Sequence, residues 1–143
     1  MRITDQLRDA IAEALTAAQA QGVLPAAGAS EIVIEQPRDQ GHGDFATSLP
    51  LKLARTMKMA PPVIAAAIVE AFPDNADVKN VEVAGPGFIN ITLADAWFQA
   101  QVEAIRAAGS DFGNTDSKKG QKIQLEFVSV NPTGPLHVGH ARG

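Results

Sequence analysis

The chain has no cysteine, which excludes disulfides, thiolate zinc sites and a thiol nucleophile, and which fits a reducing compartment. It also lacks an excess of positive charge. Twelve Lys and Arg stand against sixteen Asp and Glu, a net charge of −4. The chain as a whole is therefore not a basic nucleic-acid binder, and any RNA contact must come from a local patch. Its longest apolar run, residues 60–69, is far too short to span a bilayer. The opening Met1-Arg2-Ile3-Thr4-Asp5 has neither the charged nor the apolar segment of a secretory signal. A cytoplasmic protein with no membrane partner is expected. Internal repeats and low-complexity tracts are absent as well. What is present is ordinary globular material, with 143 residues, 45% of them apolar and 20% charged, enough for one core.

Apolar residues Leu7, Ile11, Ala14, Leu15 and Ala18 recur at helical spacing and predict a helix over 6–21, capped by Thr4 or Asp5 and stopped by Gly22. The β-branched stretch 31–35 predicts a strand. Residues 37–44 are rich in turn formers. Phe45, Leu49, Leu53 and Met57 follow at intervals of four, which predicts a second helix over 45–58 with Asp44 as its N-cap. Pro50 lies early in it and is expected either to kink it or to delay its start. Pro61-Pro62 opens a third helix ending near Phe72. Residues 78–84 and 88–93 read as a hairpin around Gly85-Pro86-Gly87, and Asp95 caps a fourth helix over 96–107. The expected fold class is α+β, with helices packed on a small antiparallel sheet in a domain over 1–109. A polar linker over 110–121 and the start of a second domain over 122–143 follow.

That second segment carries the strongest chemical signal. An apolar run over 123–130 reads as a strand, and it leads into Asn131-Pro132-Thr133-Gly134-Pro135-Leu136-His137-Val138-Gly139-His140. A turn from a strand toward a helix start presents free N–H groups to an anion. Gly139 allows close backbone approach, and His137 and His140 can donate hydrogen bonds to a polyphosphate as charge develops on it. The bare four-residue pattern is weak, because two histidines also occur on solvated tails. Its context of strand and Pro/Gly turn makes it specific. A strand over 123–130 has no parallel neighbours in this sequence, so a longer parent protein is expected.

The stretch from Glu126 to Gly143 resembles the opening of the catalytic domain of arginyl-tRNA synthetases, with His137-Val138-Gly139-His140 matching the "HIGH" signature of class I synthetases. Gly43-Asp44-Phe45-Ala46-Thr47 and Val83-Ala84-Gly85-Pro86-Gly87-Phe88-Ile89-Asn90 resemble the same family's N-terminal additional domain. The resemblance covers essentially the whole chain and implies a Rossmann-type catalytic domain beginning near residue 122. It implies a parent that activates arginine with ATP, accompanied by Mg2+, and transfers it to tRNA-Arg as a monomer. It assigns ATP binding and catalysis to His137 and His140, with Gly139 also against ATP, and arginine binding to Glu126, Ser129 and Asn131. A carboxylate suits a guanidinium or an ammonium group, and an amide both donates and accepts. The alternative for Glu126 is the polar face of an edge strand.

Lys52, Arg55 and Lys58 recur every three residues and form a basic stripe, a candidate contact for tRNA phosphates. The competing reading is a solvated helix face. Gly41-His42-Gly43-Asp44 offers too few ligands for a metal and reads as a turn with a helix cap. Asn90 could face RNA, but it reads rather as the exposed side of an alternating strand, and Phe88, Trp97 and Phe98 read as core. The fragment alone is not expected to aminoacylate. Two rival readings are a non-enzymatic RNA-binding module and a small H-x-G-H nucleotidyltransferase. The second places its signature after a first strand near the N-terminus, and here some 120 residues precede it.

Overall fold

The computed structural model describes residues 2–26, 30–37, 39–116, 118–126, 129 and 134–139. Two compact units are present, Met1–Ala107 and Ala108–Gly143. The first contains helix α1 (Ile3–Ala20), a 3-10 turn (Gln40–His42), strand β1 (Phe45–Thr47), helices α2 (Leu49–Met57) and α3 (Pro61–Glu70), strands β2 (Val78–Ala84) and β3 (Phe88–Leu93), and nearly all of helix α4 (Asp95–Ala108). The strands form one antiparallel sheet in the order β1-β3-β2, in agreement with the α+β expectation.

Helix α1 starts at Ile3 after Arg2, without a side-chain cap. Its first turn is held instead by Asp5, which accepts from Arg2 and Arg8 at 3.3 and 3.1 Å. The Arg2 hydrogen bond, more than any other contact, holds the Asp5 carboxyl below the usual carboxylate range. The apolar stripe Leu7, Ile11, Ala14 and Ala18 is buried as the spacing predicts. Leu49, Leu53 and Met57 of α2, Ile64 and Ile68 of α3, and Ile89, Ile91 and Leu93 of β3 close the same core. Each such side chain contributes about 1.5–3 kcal/mol by leaving water.

Three expectations are corrected. The segment 31–35 is not a strand, and only Glu35 bridges the sheet, opposite Ala46. Residues 45–47 are strand rather than helix, because β3 offers them a full antiparallel register from Phe45↔Ile91 to Thr47↔Ile89. Consequently α2 begins only at Leu49, with Pro50 in its first turn where the missing N–H does no harm. Asp44 is no helix cap. Its backbone N–H donates to the Ile91 carbonyl and its carboxylate accepts from the Leu93 N–H at 2.8 Å, so it latches the loop to the central strand. Gly43, at φ +79°, makes that approach possible, since a Cβ there would lie 2.8 Å from the Ile91 carbonyl oxygen.

The first turn of α2 is capped by Thr47, whose Oγ1 accepts the Leu49 N–H at 3.3 Å in a buried setting. Thr47→Val keeps the shape and removes that acceptor. It is expected to lower stability by about 1 kcal/mol, measured as a shift in the urea midpoint. An unchanged midpoint would show that the hydrogen bond contributes nothing.

In the second unit a short 3-10 turn, Gly109–Asp111, is followed by residues without regular structure over 121–126. The Rossmann-type strand expected over 123–130 is therefore not formed among the described residues, and Ile123 and Leu125 are exposed. A parallel strand depends on neighbours that cover both its edges and its faces, and no other described strand pairs with this one.

Candidate nucleic-acid interface

β3 is the centre of the sheet, and its pleat separates two environments. Ile89, Ile91 and Leu93 point into the helical core. Phe88 and Asn90 point to the opposite face, where they meet Ala84 and Glu82 of β2 and Ala46 of β1 in register. The outer face is not flat. The segment around Glu35, Asp39 and His42 rises over it and leaves a cavity of about 530 Å³ that also contacts Ala84, Phe88 and Asn90.

Both β3 residues depart from expectation. Asn90 is only 5% exposed, because the segment before β1 covers that face. Its amide makes no hydrogen bond among the described residues, and the residue lines the cavity. Phe88 is 36% exposed and is not core. The cavity thus offers an aromatic ring beside a donor–acceptor amide, which is how unstacked nucleobases are held. Its rim carries the carboxylates of Glu35 and Asp39, which repel phosphate and favour a base over a backbone. The signal was present in Phe88-Ile89-Asn90-Ile91. Residues two apart share a strand face, and the two isoleucines claim the core face.

Cations lie on the helix that follows directly. Ser48 lines the cavity and α2 begins at the next residue. Lys52 and Arg55 are exposed one turn apart, opposite buried Leu49, Leu53 and Met57. Lys52 Nζ donates to the Glu31 carbonyl at 3.4 Å. Lys58 is exposed but lies past the helix end as its C-cap, at φ 54°, so the stripe ends on a left-handed residue. Lys58→Gly is expected to raise stability by about 0.5–1 kcal/mol by relieving that conformation, and, should the stripe contact RNA, to remove one phosphate contact. Melting curves and salt-dependent titrations on the same protein separate the two effects. A lower melting temperature would refute the strain argument.

The tail residues are placed only in part. His137 is exposed, and its Nδ1 accepts the Gly139 N–H at 3.1 Å, which leaves Nε2 as the ring's donor. Glu126 and Ser129 are exposed and outside any helix or strand. His140 and Asn131 lie outside the described residues. No group of metal-ligating side chains occurs among the described residues, and no described helix is long and apolar enough to cross a membrane.

The family model of the arginyl-tRNA synthetase N-terminal domain matches residues 5–93. The chain belongs to the arginyl-tRNA synthetase family. It is similar over its whole length, at 43% identity, to the arginine–tRNA ligase of Geobacillus thermodenitrificans, and over 96% of its length, at 43% identity, to that of Coxiella burnetii. It spans only 26% and 24% of those relatives, about a quarter of their length, and corresponds to the N-terminal part of the family's enzymes. Among solved structures, arginyl-tRNA synthetase of Thermus thermophilus matches 99% of this chain and 21% of its own, with a TM-score of 0.55 at 22% identity. That of Plasmodium falciparum matches 72% and 18%, with a TM-score of 0.58 at 10% identity. At those identities the likeness concerns the fold of this family's N-terminal region.

Proposed function

We propose that this chain is the tRNA-reading part of an arginine–tRNA ligase. An unpaired base enters the Phe88–Asn90 cavity while phosphates lie along Lys52, Arg55 and Lys58. The observation that carries this reading is Asn90, a nearly buried amide that lines the cavity beside an exposed aromatic ring and has no hydrogen-bond partner among the described residues. Charge supports the same division of labour, with acidic groups around the base cavity and basic groups on the neighbouring helix.

The longer enzyme would act in the cytoplasm, activate arginine and transfer it to tRNA-Arg. ATP, with its Mg2+, would supply the activated phosphoanhydride. His137, Gly139 and His140 would hold it. Glu126, Ser129 and Asn131 would hold arginine. The 143-residue chain by itself is not expected to aminoacylate.

The test is binding of the chain to tRNA-Arg and to an unrelated tRNA across a range of salt concentrations. A preference for tRNA-Arg, with affinity falling steeply as salt rises, is the expected result. Equal affinity for both, or none at low salt, would overturn the recognition role.

A further inference from the structure

Helix α4 has an unusual surface. Its first turn is anchored, with Trp97 half-buried against the core and in edge-to-face contact with Phe98 at 5.1 Å. Beyond that turn every residue through Ala107 is exposed. Yet Phe98, Val102 and Ile105 recur at spacings of four and three, on one stripe, with exposures of 44%, 55% and 43%. The polar side chains Gln99, Glu103 and Arg106 occupy a different side, and Arg106 pairs with Glu103 at 3.1 Å. A solvated helix of this length is marginal in water without a partner for its apolar face.

We propose that the Phe98–Val102–Ile105 face is a docking surface for the remainder of the ligase polypeptide, the part of the family's length that this chain does not span. Two observations select that occupant. The chain covers 26% of the Geobacillus relative, so most of such an enzyme remains to cover the stripe. The stripe itself is small, three side chains amounting to a few hundred Å² of apolar surface. A stable dimer buries about 1,200–2,000 Å² in all, so a second copy would gain too little to hold. A tethered partner meets the face at an effective concentration in the millimolar range, and a small apolar stripe suffices. The inference rests on family membership and makes no use of the RNA reading.

Amide hydrogen exchange tests it. The 143-residue chain is compared with the same chain continued by the remaining three quarters of the Geobacillus thermodenitrificans ligase. Amides of residues 99–107 are expected to exchange at least tenfold more slowly in the longer protein, and equal rates would overturn the proposal. Should the fusion fail to fold, the same comparison between the Geobacillus ligase and its own N-terminal quarter gives the answer at the corresponding helix. In parallel, the triple variant Phe98→Ser, Val102→Ser, Ile105→Ser is made in the 143-residue chain. Its melting temperature should stay within about 2–4 °C of the parent, as for surface changes. A much larger drop would mean the face is already covered within the chain. Sedimentation showing a dimer that the triple variant abolishes would assign the face to a second copy and refute the tethered occupant. Transfer RNA binding by the variant should be unchanged, so a failure here is distinct from a failure of the RNA reading.

Discussion

Phe88→Ala is expected to weaken tRNA-Arg binding by about five- to a hundredfold, because base–aromatic stacking contributes about 1–3 kcal/mol per base. The folded chain should barely notice. Phe88 lies on the solvent side of β3 and is absent from the core, so melting should shift little. Asn90 should separate from it in kind. Asn90→Ala removes a donor and an acceptor but no stacking surface, and its effect should depend on which base is offered. Phe88→Ala should weaken all bases similarly. Titration of both variants against tRNA-Arg and against transcripts changed at single unpaired positions reads this directly. Wild-type affinity in Phe88→Ala would end the cavity's candidacy as a base site and leave the basic stripe on α2 to account for any RNA contact.

Gly87→Ala should have the largest effect on folding. Gly87 sits at φ +129°, in a region that side chains rarely occupy, and a Cβ there would collide with Cβ of Pro61 and lie 2.9 Å from its carbonyl carbon. Neither neighbour can give way easily. Pro61 is the first residue of α3, with its ring fixing the backbone. Conformational strain and overpacking each carry about 1–3 kcal/mol, so a loss of about 2–6 kcal/mol is expected. Urea denaturation measures it. A loss under 1 kcal/mol would mean that the β2–β3 turn and the start of α3 move apart freely. Gly85 makes the control, since it also has positive φ but nothing within 4 Å of a Cβ. Gly85→Ala should therefore show the smaller cost of a left-handed residue with no clash.

Much of this fold is legible in the residues. The hairpin boundaries follow from Gly85-Pro86-Gly87 between two β-rich runs. The start of α3 follows from Pro61-Pro62, and the buried face of α1 from its spacing. Such features are local, and each is decided within a few residues by backbone sterics or periodicity. The failures have a common cause in pairing across long stretches of chain. Phe45, Leu49, Leu53 and Met57 fit a helical stripe, yet Phe45 is claimed by Ile91 across the sheet. Asp44 resembles a cap because its helix is expected one residue later, whereas its real partner is Leu93. The site failed in the same manner. Alternation alone puts Asn90 on the outer face, and nothing local says that residues 35–42 cover it. The basic stripe was visible from spacing, but the left-handed ending at Lys58 was not.

The pleat of β3 has a consequence for which substitutions the strand tolerates. Ile89 and Ile91 are held in the core with α2 and α3, while Phe88 and Asn90 line the cavity on the other face. Substitutions at the outer pair would change the cavity lining with little effect on the interior. Substitutions at the inner pair would first be felt as a loss of stability. A single strand therefore keeps a core-forming face and a cavity-lining face in register, and one inserted residue in β3 would exchange the two.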